Sequence, residues 1–147
     1  MMRESARSVA LHSLLQMTEN EGYSNIIIDK ALRSASLSSQ DAALATGLFY
    51  GVLEKRISLE DIIRQFASIP LSKIHPTVLE ILRMDVYQIF FMDKIPDSAA
   101  VNEAVKLAKE FGQGKASGFV NGVLRNFLRK KDTVQLPDEQ DASPSSL

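Results

Sequence analysis

Ser117-Gly118-Phe119-Val120-Asn121-Gly122-Val123-Leu124-Arg125-Asn126-Phe127-Leu128-Arg129 is the stretch on which the reading of this chain turns. Its apolar residues Phe119, Val120, Val123, Leu124, Phe127 and Leu128 recur at intervals of three and four, the spacing that sets one stripe of a helix against a core. The other side carries a different set. At about 3.6 residues per turn, Gly118, Gly122, Arg125 and Arg129 fall within roughly 60 degrees of one another. Each glycine inside a helix costs about 1 kcal/mol relative to alanine, so this ridge is expected to meet something that needs bare backbone. The row Ala43, Gly47 and Gly51, spaced i, i+4, i+8, is the expected helical mate, and a nucleic-acid backbone is the other candidate.

The same period runs through the whole chain, and no segment alternates polar and apolar residues for long enough to need a sheet. Seven helices are predicted. The first spans Ser5 to Met17, burying Ala6, Val9, Ala10 and Leu14, and Gly22 ends the turn after it. The second runs from Ser24 to Ala35. The third starts at a cap, Ser38 or Ser39, has Asp41 in its first turn where the dipole favours an acid, and continues to Arg56. Ser58 followed by Asp61 resembles a capping box and places the start of the fourth, which ends before Pro70. Pro76 suits the first position of the fifth, whose apolar face is Val78, Leu79, Leu82, Val86, Ile89 and Phe90, and Pro96 closes it. The sixth runs from Asp97 to Phe111. Gly112-Gln113-Gly114 then separates it from the seventh, which reaches Lys131.

Composition bounds the function. A chain of 147 residues, 45% hydrophobic, suits one folded unit with a real core, assigned to residues 1–131. Residues 132–147 hold four acids, Pro137 and Pro144 and no base, and read as an acidic linker. With no cysteine, the chain has no disulfide, no thiolate metal site and no thiol nucleophile, and a cytoplasmic setting fits. No run of about 20 apolar residues suggests a membrane span. Catalytic motifs are absent too. His12 and His75 are expected to be structural or solvated, and there is no metal-binding H-E-x-x-H, Walker loop or G-x-S-x-G. Gly112, Gly114 and Gly118 follow a helix rather than a strand, which rules out a dinucleotide loop.

Charge is uneven. The net charge is -1, yet residues 71–131 hold ten Lys or Arg against six acids. Arg7, one turn after Arg3, sits near a helix N-terminus where the dipole disfavours a cation, which points to an anionic partner. The candidate phosphate contacts are therefore Arg3, Arg7, Arg125, Arg129 and Lys130, with Lys106, Lys109 and Lys115 beside them.

Taken in order, Leu48-Phe49-Tyr50-Gly51-Val52-Leu53, Leu59-Glu60-Asp61-Ile62-Ile63, Leu82-Arg83-Met84-Asp85-Val86-Tyr87-Gln88, Ile95-Pro96-Asp97, the run Ala100 to Lys109 and Phe119-Val120-Asn121-Gly122-Val123-Leu124-Arg125 resemble the NusB family across residues 5–130. The resemblance implies an all-α, NusB-like fold of two packed helical subdomains that binds RNA rather than DNA. Within the family, antitermination factors usually carry an acid where Arg125 stands. Arg125-Asn126-Phe127-Leu128-Arg129 looks instead like the N-terminal domain of ribosomal RNA (cytosine-C5)-methyltransferases.

That branch implies small-subunit ribosomal RNA as partner and a following methyltransferase domain that uses S-adenosylmethionine, with no cofactor and no catalytic residue on this chain. Cytosine C5 methylation needs a thiolate to add to C6, which a chain without cysteine does not supply. Two alternatives stay open: a stand-alone antitermination factor that binds RNA with a ribosomal protein, and a protein-interaction module with no RNA affinity.

Overall fold

Ser38 opens one helix with its hydroxyl, which accepts from the Asp41 N–H at 3.0 Å. His75 opens another with its ring, Nδ1 accepting from the Thr77 N–H at 3.1 Å just ahead of Pro76. The computed structural model describes residues 4–20, 23–92 and 95–134, so Arg3, Gly22 and most of the acidic tail lie outside the described residues. These contain α1 (Ala6–Asn20), α2 (Ser24–Ser34), α3 (Ser39–Glu54), α4 (Arg56–Phe66), α5 (Pro76–Tyr87), α6 (Asp97–Glu110) and α7 (Ser117–Lys130), with no strand.

All seven predicted helices are present, and the differences lie at their ends. α4 starts at Arg56, almost continuous with α3, so Ser58 is a buried interior residue rather than a cap. α5 passes into a π-helical turn, Gln88–Met92, which no sequence signal announced. Short 3-10 turns at Leu71–Lys73, Gly114–Ala116 and Lys131–Thr133 fill the connections.

Packing divides the helices into two groups. α1 packs on α3 and α2, while α4 packs on α5 and α7, and α6 on α5 and α7. α5 also touches α1 and α3, and so joins the groups. This position explains its sequence, because every residue from Glu80 to Val86 is buried. A single apolar cluster runs through both groups, from Leu11 and Leu14 through Phe49, Ile62, Ile81 and Leu82 to Leu124 and Phe127. Phe127 meets Phe66 edge-on at 5.8 Å and ties α7 to α4.

The glycine ridges do not mate. Gly51 packs on α5 instead, where a β-carbon would overlap the Tyr87 ring, and a β-carbon on Gly47 would meet no atom within 4 Å. Gly118 and Gly122 likewise face open space. The expectation that α3 accounts for the α7 glycines is therefore corrected, because α7 turns its apolar stripe to α4, α5 and α6 and leaves the glycine ridge outside.

Candidate nucleic-acid interface

α6 and α7 form a helical hairpin whose tight turn needs Gly112, at φ +77°, a conformation that β-carbons disfavour. The Gln113 N–H donates to the Ala108 carbonyl at 2.6 Å and closes that turn. At the far end Lys131 Nζ reaches Asp97 Oδ1 at 3.1 Å and fastens the end of α7 to the start of α6. With the inner faces committed to the core, each helix presents an outer row. On α6 it is Asn102, Lys106 and Lys109, and on α7 it is Gly118, Gly122, Arg125 and Arg129, all exposed.

Between the rows lies a cleft of about 380 Å³ lined by Val101, Asn102, Val105, Lys106, Lys109, Asn121 and Arg125. Three cations predicted from sequence thus share one concave surface. Asn121 Oδ1 accepts from Arg125 Nε at 2.6 Å, which orients the guanidinium and leaves its terminal N–H groups available. One turn on, Arg129 donates from a terminal nitrogen, Nη2, to Asn126 Oδ1 three residues back. Lys130 is exposed at the end of α7. Lys115 is exposed in the hairpin turn but does not line the cleft. From residue 102 to 130 there are six Lys or Arg and only two acids, Glu103 and Glu110, both half-buried, so the outer face is cationic although the chain is not.

Arg7 is a correction. It is only 6% exposed, and its guanidinium lies against α5, with Nη2 at 2.6 Å from Asp85 Oδ1 and Nη1 donating to Gln88 Oε1. The cation that looked misplaced at a helix start is explained by an internal carboxylate rather than an external phosphate. Burial pushes the Asp85 carboxyl up to about 6, against the pull of Arg7, and Glu103 raises it further. A second buried network holds Arg83 between Glu80, at 2.9 Å, and Glu60, at 2.5 Å. Burial also raises the pKa of Glu80, opposed mainly by Arg83.

Sequence reasoning missed the two asparagines of the cleft and the partners of Arg7. Asn102 stands one turn before Lys106 and Asn121 one turn before Arg125, a register that was legible. Asp85, set between Met84 and Val86 on a largely apolar helix, was the available signal that a buried cation must face it. Among the described residues no group of three or more His, Cys, Asp or Glu is placed to hold a metal, and no helix is long and apolar enough to cross a membrane.

The family model described as NusB family matches residues 4–129. The chain is 39% identical over 150 residues to a probable ribosomal RNA small subunit methyltransferase B of Bacillus subtilis (strain 168), covering 99% of this chain but 33% of that protein. It spans about a third of the length of that relative. To a transcription antitermination protein NusB of Bacillus licheniformis it is 37% identical over 127 residues, which covers 86% of this chain and 95% of the relative. The fold superposes on T. maritima NusB with a TM-score of 0.75 at 21% identity, covering 97% of this chain and all of that one. With the family matched over nearly the whole described fold and this architecture shared, the chain belongs to the NusB family.

Proposed function

We propose that this chain is an RNA-binding module that positions small-subunit ribosomal RNA for a cytosine-C5 methyltransferase domain, which uses S-adenosylmethionine and lies outside these residues. The observation that carries the reading is the convergence of Lys106, Lys109 and Arg125 on one cleft, with Arg129 and Lys130 farther along α7. Multiple cations on a concave face meet a phosphate chain, and Arg125, held by Asn121, presents a planar fork suited to a phosphate. Arg7 is not part of this surface, and Lys115 is a peripheral contact at the hairpin turn. The methyltransferase assignment is favoured by Arg125 itself, since the antitermination branch usually places an acid there.

RNA binding measured across salt concentration tests the surface. Each lost contact to single-stranded RNA is expected to flatten the slope of log affinity against log salt by roughly 0.7. Lys106→Ala and Arg125→Ala, measured singly, are expected to do so; unchanged slope and affinity in both remove the proposed face.

A second reading, a free-standing antitermination factor that acts with a ribosomal protein, is favoured by relatives of that name that the chain matches over 95% of their length. Co-purification separates the two. Methylation of small-subunit ribosomal RNA that needs these residues in cis supports the first reading, and a stable complex with RNA and a ribosomal protein, with no methylation defect on deletion, supports the second.

A further inference from the structure

The cations of the α6–α7 face are short of anions. Lys106, Lys109 and Lys130 form no ion pair among the described residues, and Arg125 and Arg129 are held by neutral asparagines. The nearest acids in sequence are occupied or turned inward: Asp97 binds Lys131, and Glu103 and Glu110 are half-buried. Like charges gathered on one concave surface repel one another, and an anion laid across them relieves that repulsion.

The chain carries an anionic segment that starts at the edge of this face. α7 passes into the 3-10 turn Lys131–Thr133, and the exit is held in place. Thr133 Oγ1 donates to the Lys130 carbonyl at 2.8 Å, the Val134 N–H donates to the Lys131 carbonyl at 3.2 Å, and Val134 packs half-buried against the core. Because Lys131 reaches Asp97, that exit lies where α6 begins and α7 stops. Residues 132–147 then hold four acids and no Lys or Arg, which equals the excess of bases in residues 71–131, ten against six. Length fits as well as charge. At about 3.3 Å per extended residue, Asp138, Glu139 and Asp141 stand within roughly 13–23 Å of chain beyond Val134. At 1.5 Å of rise per residue, Arg125 is about 9 Å along α7 from Lys131, and Lys106 about 14 Å along α6 from Asp97.

We propose that residues 135–147 lie back across the α6–α7 cleft, with Asp138, Glu139 and Asp141 against Lys106, Arg125 and Arg129, and act as an internal competitor of RNA; the competition, though not the contact, rests on the RNA-binding reading above. Exposed carboxylate–cation pairs are individually weak and screened by salt, so the contact is reversible. An RNA strand offers a phosphate at every nucleotide and displaces three carboxylates, whereas a ligand with one or two phosphates does not.

The test compares the parent chain with a neutral-tail variant, Asp138→Asn with Glu139→Gln and Asp141→Asn, all outside α1 to α7. Without RNA, amide chemical shifts at residues 102–109 and 117–130 are expected to differ between the two at low salt and to converge at about 1 M salt, where charges are screened within about 3 Å. With a labelled single-stranded oligoribonucleotide at about 50 mM salt, the neutral-tail variant is expected to bind about fivefold tighter and to show the steeper salt dependence. A control variant, Asp29→Asn with Asp41→Asn and Glu54→Gln, removes the same charge from exposed sites on α2 and α3 and is expected to change affinity by less than about twofold. An equal gain in the control overturns the proposal, since net charge alone then accounts for it. Identical shifts of parent and neutral-tail variant over the α6–α7 face at low salt overturn it too. If no variant binds RNA, the RNA-binding reading fails, and the shifts measured without RNA still decide whether the acidic segment occupies the face.

Discussion

Arg7 shows how a residue is misread when only its neighbours in sequence are known. Near the start of α1 its charge opposes the helix dipole, and the sequence explains that conflict by an outside anion. The explanation is Asp85, seventy-eight residues away and inside the core. Removing one member of such a pair strands the other. Arg7→Ala is expected to cost about 3–5 kcal/mol in urea unfolding, and Arg7→Met combined with Asp85→Leu to recover most of it. RNA affinity of the folded fraction should stay unchanged in both.

The same pair makes stability depend on pH. Burial lifts Asp85 from 3.8 to about 6, so the folded state holds its proton more tightly than the unfolded state. This contribution is fully present below pH 4 and is lost as pH rises towards 6, at a slope of at most about 1.4 kcal/mol per pH unit. Glu80 acts in the same direction. Urea unfolding between pH 4.5 and 6.5 should therefore show the parent losing stability relative to Asp85→Asn as pH rises; parallel curves contradict the assignment.

At the scale of elements the sequence was informative, because helix existence and direction are set by local periodicity and caps. Ser38 and Pro76 announced their helices correctly, and Ser38→Ala is expected to lower stability by about 1 kcal/mol in thermal unfolding. Ser58 misled, since a capping pattern counts only where the preceding residue leaves the helix, and the α3–α4 junction turns within a single residue, Lys55. The π-helical turn at Gln88–Met92 has no local signature; its first residue, Gln88, accepts from Arg7, a long-range contact that periodicity does not encode.

The glycines divide by the same logic. A helix wheel identifies a ridge but not what faces it. Gly51→Ala is expected to destabilise by about 1–3 kcal/mol through overlap with Tyr87, whereas Gly122→Ala, in the interior of α7 and facing open space, should stabilise by about 0.5–1 kcal/mol. Differential scanning calorimetry of the two variants checks both signs.

For the molecule as a whole, a net charge of -1 conceals a cationic face because charges cancel in a sum and not on a surface. Which cations would converge was legible only in part. Lys106, Lys109 and Arg125 lie on two helices that a tight turn folds back on each other, so their proximity followed from the hairpin. The exclusion of Arg7 followed from long-range packing that periodicity does not encode. Arg3 and residues 135–147 of the acidic segment lie outside the described residues, and the α6–α7 face is cationic without them.

Amide chemical-shift mapping of the chain during titration with single-stranded ribosomal RNA fragments tests that face most directly. The perturbed residues should cluster at 102–109 and 117–130, with Arg7 and the surroundings of Asp85 silent. A cluster centred on the exposed Tyr23, Ile26 or Ile57 instead, or shifts spread evenly over α1 to α5, would contradict it.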